Sequence, residues 1–246
     1  MCDVFLVIAR HMNWFLITRL GGLYVTLPAA IGIAGWLCAA RAWRPALWWC
    51  GLLCALLVLT VATKILFIGW GLGMPALNFT GISGHAIRAT FIFPVLCWLA
   101  MHHAAPSSRF FSVLAGLLVG VLVGISRVKL HAHSVSEVVA GCVLGAGAAA
   151  LFLCIIEQPR VFVVDRAVIA CSFIGLLAAT FLPPAPTQRW MISLALYVSG
   201  HDRPYIRKGW TLAPRGWHQR QAASATLSAT MPPRPYGVGT SRYTAN

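Results

Sequence analysis

Apolar runs of about twenty residues recur along this chain, and no other feature narrows its fold so far. That length lets a helix cross the hydrocarbon core of a bilayer. Inside that core every backbone N–H and C=O must be paired by the chain itself, which a helix does alone. The runs fall at about 20–40, 45–68, 85–103, 109–126, 134–156 and 167–182. They predict an all-α, polytopic transmembrane helical bundle of about six spans. Only 10% of the residues are charged, against about a quarter in a soluble domain.

Residues 3–18 mix apolar side chains with Arg10, His11 and Asn13, which suits an N-terminal interfacial helix. The start, "MCDVFLVIAR", lacks a basic region before its apolar stretch, so no cleaved signal peptide is expected. Past the last span, "WMISLALYVSG" is too short to cross and is expected to lie on the surface or re-enter. Residues 201–246 are rich in Arg, Pro, Ser, Thr and Gly, a composition that predicts disorder. The expected organisation is an interfacial segment at 1–19, a membrane domain at 20–183 and a basic, Pro-rich, disordered tail at 184–246.

The formal net charge of +14 does not indicate a nucleic-acid partner. Eight of the nineteen Lys and Arg lie in the last sixty residues, and others flank apolar runs as topology signals do. The partner such a tail suits is the anionic lipid surface. The eight Cys sit mostly within apolar runs, where they behave as small hydrophobes, and their spacing gives no metal knuckle or redox pair. Glycines at 116, 120 and 124, and at 141 and 145, have the four-residue spacing that lets helices approach closely in lipid.

One stretch breaks the apolar pattern. "GISRVKLHAHSVSEVVAG", residues 124–141, places Arg127, Lys129, His131, His133 and Glu137 between two spans. A charge at a helix centre in lipid costs about 2.5–3.5 kcal/mol on insertion scales. Antiparallel spans bring the end of the second, the start of the third, the end of the fourth and the start of the fifth to one membrane face. Those four places carry Lys64, then Ser83-Gly84-His85 with Arg88, then Ser126-Arg127, then His133 with Glu137. The opposite loops carry Arg41, Arg44, Arg109, Arg160 and Arg166 without any such His or Ser cluster.

The residue types suit phosphate chemistry. His133 and Glu137 are four apart and are expected on one helix face, where the carboxylate takes the proton of one ring nitrogen. The other nitrogen is then free to attack. Arg127 and Lys64 offer charge to phosphate oxygens. The amides of Ser83-Gly84-His85 open a helix and favour an anion there. His85 is placed to protonate a leaving oxygen. A zinc site built from His131, His133, Glu137 and His85 is the rival, but residues two apart on a helix diverge.

These residues resemble the type 2 phosphatidic acid phosphatase family, which shares a superfamily with bacterial acid phosphatases and vanadium haloperoxidases. The family's third motif is Ser-Arg, five residues, His, three residues, Asp; here it reads Ser126-Arg127, "VKLHA", His133, "SVS", Glu137. Its second, Pro-Ser-Gly-His, reads Ile82-Ser83-Gly84-His85. Its first is Lys, six residues, Arg-Pro; here Lys64 and "ILFIGW" lead to Gly71. Glu137 for Asp, Ile82 for Pro and Gly71 for Arg are the departures. The last leaves one phosphate ligand missing, for which Arg88 is the expected stand-in.

The resemblance implies an integral membrane lipid phosphatase that needs no cofactor or metal and acts on a phosphomonoester or diphosphate of a lipid. His133 would be the nucleophile, Glu137 its orienting partner and His85 the acid. Lys64, Ser83, Gly84, Arg127 and Arg88 would bind the phosphoryl group. A bacterial inner-membrane location with the site facing the periplasm is expected. The alternative is a catalytically degraded relative that binds or transports lipid phosphate without hydrolysis.

Overall fold

The computed structural model describes residues 14–101, 104–156 and 187–214. It is a helical membrane bundle. Residues 14–20 are helical and lead through Gly21 and Gly22 into α1, Leu23–Ala39. There follow α2, Trp43–Trp70; α3, Gly84–Ala100; α4, Pro106–Lys129; α5, Val135–Ile155; and α6, Thr187–Ser199. A short antiparallel hairpin, β1 Tyr205–Ile206 and β2 Thr211–Leu212, closes the described chain. Four helices have the length and apolarity to cross a membrane: 14–39, counted with its N-terminal turns, then α2, α4 and α5. The shorter, apolar α3 stands among them. The expected span at 167–182 and most of the interfacial segment, residues 1–13, lie outside the described residues.

Helix α3 is the axis of the bundle. Ala86, Ile87, Ala89, Phe91, Ile92 and Val95 are all fully buried, so it is covered on every side. In lipid this cannot come from hydrophobic expulsion between helices and depends on close packing. The glycine ladders supply it. A β-carbon on Gly116 would lie 2.6 Å from the Phe93 carbonyl oxygen, and one on Gly120 would lie 2.8 Å from Cα of Thr90. On the other flank, a β-carbon on Gly141 would lie 3.0 Å from the Ser83 carbonyl oxygen. So α4 and α5 lie against α3 backbone to backbone. Away from the site, Trp49 of α2 stacks on Phe91 at 4.5 Å, meets Phe152 at 5.1 Å and donates from Nε1 to the Ala30 carbonyl at 3.0 Å.

The segment composition assigns to the tail is ordered in its first part. Helix α6 packs along α2, with Ile192 and Ala195 buried. The hairpin then folds over the end of α2: His201 Nδ1 lies 2.7 Å from the Gly69 carbonyl oxygen, and Trp210 meets Phe67 edge-on at 5.2 Å. The expectation of disorder therefore fails for 201–214, because Tyr205 and Trp210 give this stretch apolar anchors that an averaged composition hides. Residues 215–246 lie outside the described chain.

Candidate active site

The site lies at one end of the bundle, where α2 and α4 end and α3 and α5 begin. Its centre is Glu137, a carboxylate with no exposure to solvent. Local sequence explains its position. Ser134 caps α5 and Glu137 is the third residue of that helix, so the two form a capping box. Ser134 Oγ accepts from the Glu137 N–H at 3.4 Å, and Glu137 Oε2 accepts from the Ser134 N–H at 3.2 Å. The carboxylate is thereby folded back toward His133, whose Nδ1 lies 2.7 Å from Oε2. The pair does not share a helix face as the four-residue spacing suggests. His133 precedes the helix, and the back-folded cap brings the groups together. A glutamate has the reach for this, which gives the departure from Asp a physical meaning.

An ionised carboxylate only accepts hydrogen bonds, so Nδ1 of His133 carries the proton and Nε2 keeps its lone pair. Burial pushes the His133 imidazole below its ordinary value, opposed by the hydrogen bond it donates to Glu137. Burial is the larger effect and favours a neutral ring, while the hydrogen bond fixes its tautomer.

Glu137 also fastens the loop between α2 and α3. The Thr80 N–H and Oγ1 donate to Oε1 at 2.7 and 2.6 Å. The Glu137 carbonyl accepts from the Ser83 N–H at 3.2 Å, and Ser136 Oγ donates to the Leu77 carbonyl at 2.7 Å. The last donor is Arg207 of the hairpin, whose Nη2 lies 2.7 Å from Oε1 and 2.8 Å from Oε2. Sequence reasoning missed both Thr80 and Arg207.

A cavity of about 460 Å³ opens beside this cluster, lined among others by Lys64, His85, Arg127, His133 and Arg207. Helices α2, α3 and α4, the turn before α5 and the hairpin thus bring Lys64, His85, Arg127, His133 and Arg207 to one wall. Arg127 donates from Nη1 to Thr18 Oγ1 at 3.2 Å, while its buried Nε has no partner among the described residues. Ser83 caps α3 without a side-chain capping bond, and its fully buried Oγ is likewise unpaired. Buried polar atoms are rarely left so. Gly84 begins α3 and lies beside the Arg88 guanidinium and Thr60.

Arg88 is placed differently from expectation. It does not line the cavity that holds His133. Its Nε donates to Thr26 Oγ1 and its Nη2 to the Gly21 carbonyl, both at 3.1 Å, tying α3 to the start of α1. It faces a second cavity of about 380 Å³, walled by Leu57, Val61, Trp190, Met191 and Leu194, which shares Lys64 and His85 with the first. His131 is exposed in the turn after α4 with φ of 52°, so it is not on a helix at all. Among the described residues, no three His, Cys, Asp or Glu side chains gather as metal ligands do.

A helical membrane bundle thus sets a histidine on a buried carboxylate at the wall of a cavity that lysine and arginine also line. Residues 73–160 match the PAP2 superfamily, a stretch that holds the second and third motifs. The chain is 34% identical over 201 residues to an uncharacterized 22.5 kDa protein in the cps region of Klebsiella pneumoniae, covering 80% of this chain and 96% of that one. It is 35% identical over 71 residues to phosphatidylglycerophosphatase B of Bacillus subtilis (strain 168), covering 28% of this chain and 34% of that protein. No solved structure gives a significant match. The chain belongs to the PAP2 superfamily.

Proposed function

We propose that this protein is an integral membrane lipid phosphatase that hydrolyses a phosphomonoester or diphosphate through a phosphohistidine on His133, without a metal. The observation that carries this reading is the 2.7 Å contact of His133 Nδ1 with buried Glu137 at the wall of a cation-lined cavity. Nε2 attacks phosphorus, and the bond to the leaving oxygen breaks as His85 gives that oxygen its proton. Lys64 and Arg127 hold the phosphoryl oxygens and stabilise the charge that spreads over them in the transition state. Ser83 Oγ and the amides at Gly84 and His85 add donors at the start of α3, and Arg127 Nε adds one from the end of α4. Water then attacks the phosphohistidine, with His85 as base, and phosphate leaves.

Three observations favour a lipid. The site sits at span ends, where a lipid headgroup resides. The neighbouring cavity is mostly apolar and shares Lys64 and His85 with the first, so an amphiphile can place its phosphate in one and apolar chain in the other. The partial similarity to a phosphatidylglycerophosphatase points to the same class. The bacterial relatives support a bacterial membrane, and a periplasm-facing site is the orientation we propose. The catalytic unit is proposed to run to residue 214 and not to stop at 183, because the hairpin reaches Glu137. The binding-only alternative leaned on Gly71, and nothing in the site favours it.

Phosphate release from phosphatidic acid and from a polyprenyl diphosphate, measured in detergent with EDTA, tests the reading. Release that persists in EDTA and is lost in His133→Ala is expected. Absence of release from both lipids by the intact protein would overturn it.

A further inference from the structure

Two departures from the family pattern are linked through the hairpin. Gly71 stands where the first motif has arginine, and Glu137 stands where the third has aspartate. An arginine at position 71 would be strained here. Gly71 ends α2 with φ of 70°, a left-handed conformation that side-chain-bearing residues adopt at a cost. Its N–H closes on the Phe67 carbonyl at 2.8 Å. A β-carbon on it would lie 2.7 Å from Cδ1 of Tyr205, too close for any real contact. The Tyr205 ring occupies the space that a side chain at 71 would need.

Tyr205 belongs to β1, and two residues further on the same segment delivers Arg207 to Glu137. The guanidinium is held from three sides: Glu137 takes Nη2, Thr80 Oγ1 accepts from Nη2 at 2.9 Å, and Asn78 Oδ1 lies 3.4 Å from Nη1. Its side chain is about a third exposed, and it lines the cavity together with Lys64, Arg127 and His133.

We infer that Arg207 is the positioning residue that replaces the missing first-motif arginine, and that loss of the side chain at 71 is what lets the hairpin dock to deliver it. This inference rests on the phosphatase reading for its kinetic arm. Arg207 reaches both oxygens of the Glu137 carboxylate, one of which His133 also meets, so the ring is held by a carboxylate that cannot turn away. It also adds positive charge to the wall of the phosphate cavity. An isolated glutamate at this depth would carry unbalanced charge, whereas the Arg207–Glu137 pair is neutral and leaves His133 neutral too.

The charged and titratable groups facing His133 are Glu137 from α5, Lys64 from α2, Arg127 from α4, His85 from α3 and Arg207 from the hairpin. Removing the Arg207 charge leaves Glu137 uncompensated and favours an imidazolium at His133. The acid side of the activity profile then moves to higher pH.

The test compares the full-length protein with Arg207→Gln and Arg207→Lys, the first keeping donors for folding and the second keeping charge. Inorganic phosphate binding is measured in detergent, beside the pH profile of kcat/KM on the preferred lipid. Arg207→Gln is expected to weaken phosphate binding about tenfold to hundredfold and to shift the acid limb upward. Arg207→Lys is expected to keep that limb in place and recover part of the binding. Two results overturn the inference: a glutamine variant within twofold of the native protein in both readouts, or two variants equally impaired with the acid limb unmoved, which is a merely structural effect. If the native protein binds phosphate without turnover, the phosphatase reading fails while the binding arm still decides the role of Arg207. If it neither binds nor turns over, both fail.

Discussion

Replacing Glu137 by glutamine changes one atom of the buried carboxylate and tests the logic of the site. Five donor groups converge on its two oxygens: the Thr80 N–H, the Thr80 hydroxyl, His133 Nδ1, the Ser134 N–H and Arg207 Nη2. A glutamine has only one oxygen, so its NH2 must face donors on one side. If the NH2 takes the Oε2 place, His133 must accept at Nδ1 and carry its proton on Nε2, which removes the nucleophile. If it takes the Oε1 place, the Thr80 N–H is stranded and the loop loosens. Neither arrangement keeps both the tautomer and the loop. A wrong tautomer in a histidine–carboxylate pair lowers kcat by about 10⁴-fold, so a loss of about 10³- to 10⁴-fold is expected. Breaking a buried ion pair costs about 3–5 kcal/mol. The exposure of Arg207 lets water take over part of its solvation, which puts the stability loss at the lower end, about 3 kcal/mol. Glu137→Asp keeps charge and tautomer but withdraws the carboxylate by one methylene, which breaks the capping box. A misplacement of about 1 Å costs about 10²-fold, so the aspartate variant should stand between native and glutamine. Turnover in detergent and thermal unfolding of the three proteins measure this. A glutamine variant within tenfold of native turnover, or less impaired than the aspartate variant, would refute the reasoning.

Other outcomes follow from the same geometry. His85→Ala should slow release of an alkyl lipid phosphate by about 10²- to 10⁴-fold, and far less for an aryl phosphate whose leaving group needs no proton; equal losses on both would remove His85 from the role of acid. Because burial lowers the His133 value and the neutral ring is the active form, activity should persist below the ordinary imidazole value of about 6.5 and fail only when His133 takes up a proton; a limb above that value would contradict this. Gly71→Ala should destabilise by about 1–3 kcal/mol through its left-handed backbone and its clash with Tyr205, with activity falling as the hairpin lifts; a native unfolding profile would refute it. Gly120→Leu should prevent α4 from seating on Thr90 and give little folded protein in detergent; normal yield and activity would show that this close approach is dispensable.

The spans were legible because twenty-residue apolar runs leave little alternative, and α1 to α5 fall within a few residues of the runs read from sequence. The wall formed by Lys64, His85, Arg127 and His133 was legible too, since alternation of antiparallel helices decides which ends meet. Other parts follow from contacts that spacing does not encode. The approach of His133 and Glu137 comes from a capping box whose signature, Ser134-Val-Ser-Glu137, is present in the sequence but coincides with a four-residue helical spacing. Arg207 sits in a basic stretch where a single arginine looks like a solvated charge, and only the folded hairpin shows its partner. Arg88, one turn beyond His85, has the charge to replace the missing cation, but its turn of α3 faces α1 and the Gly21 carbonyl. Thr80, a loop threonine, has no sequence signal beyond its place before Ser-Gly-His.

Trapping the covalent intermediate tests the central claim most directly. The native protein, His85→Ala and His133→Ala would be mixed with a lipid carrying labelled phosphate in the presence of EDTA and quenched in alkali. A label stable to base, labile to acid, mapped to His133 and absent from His133→Ala is the predicted result. Steady turnover with no label on any histidine, or a label that persists in His133→Ala, would contradict the account.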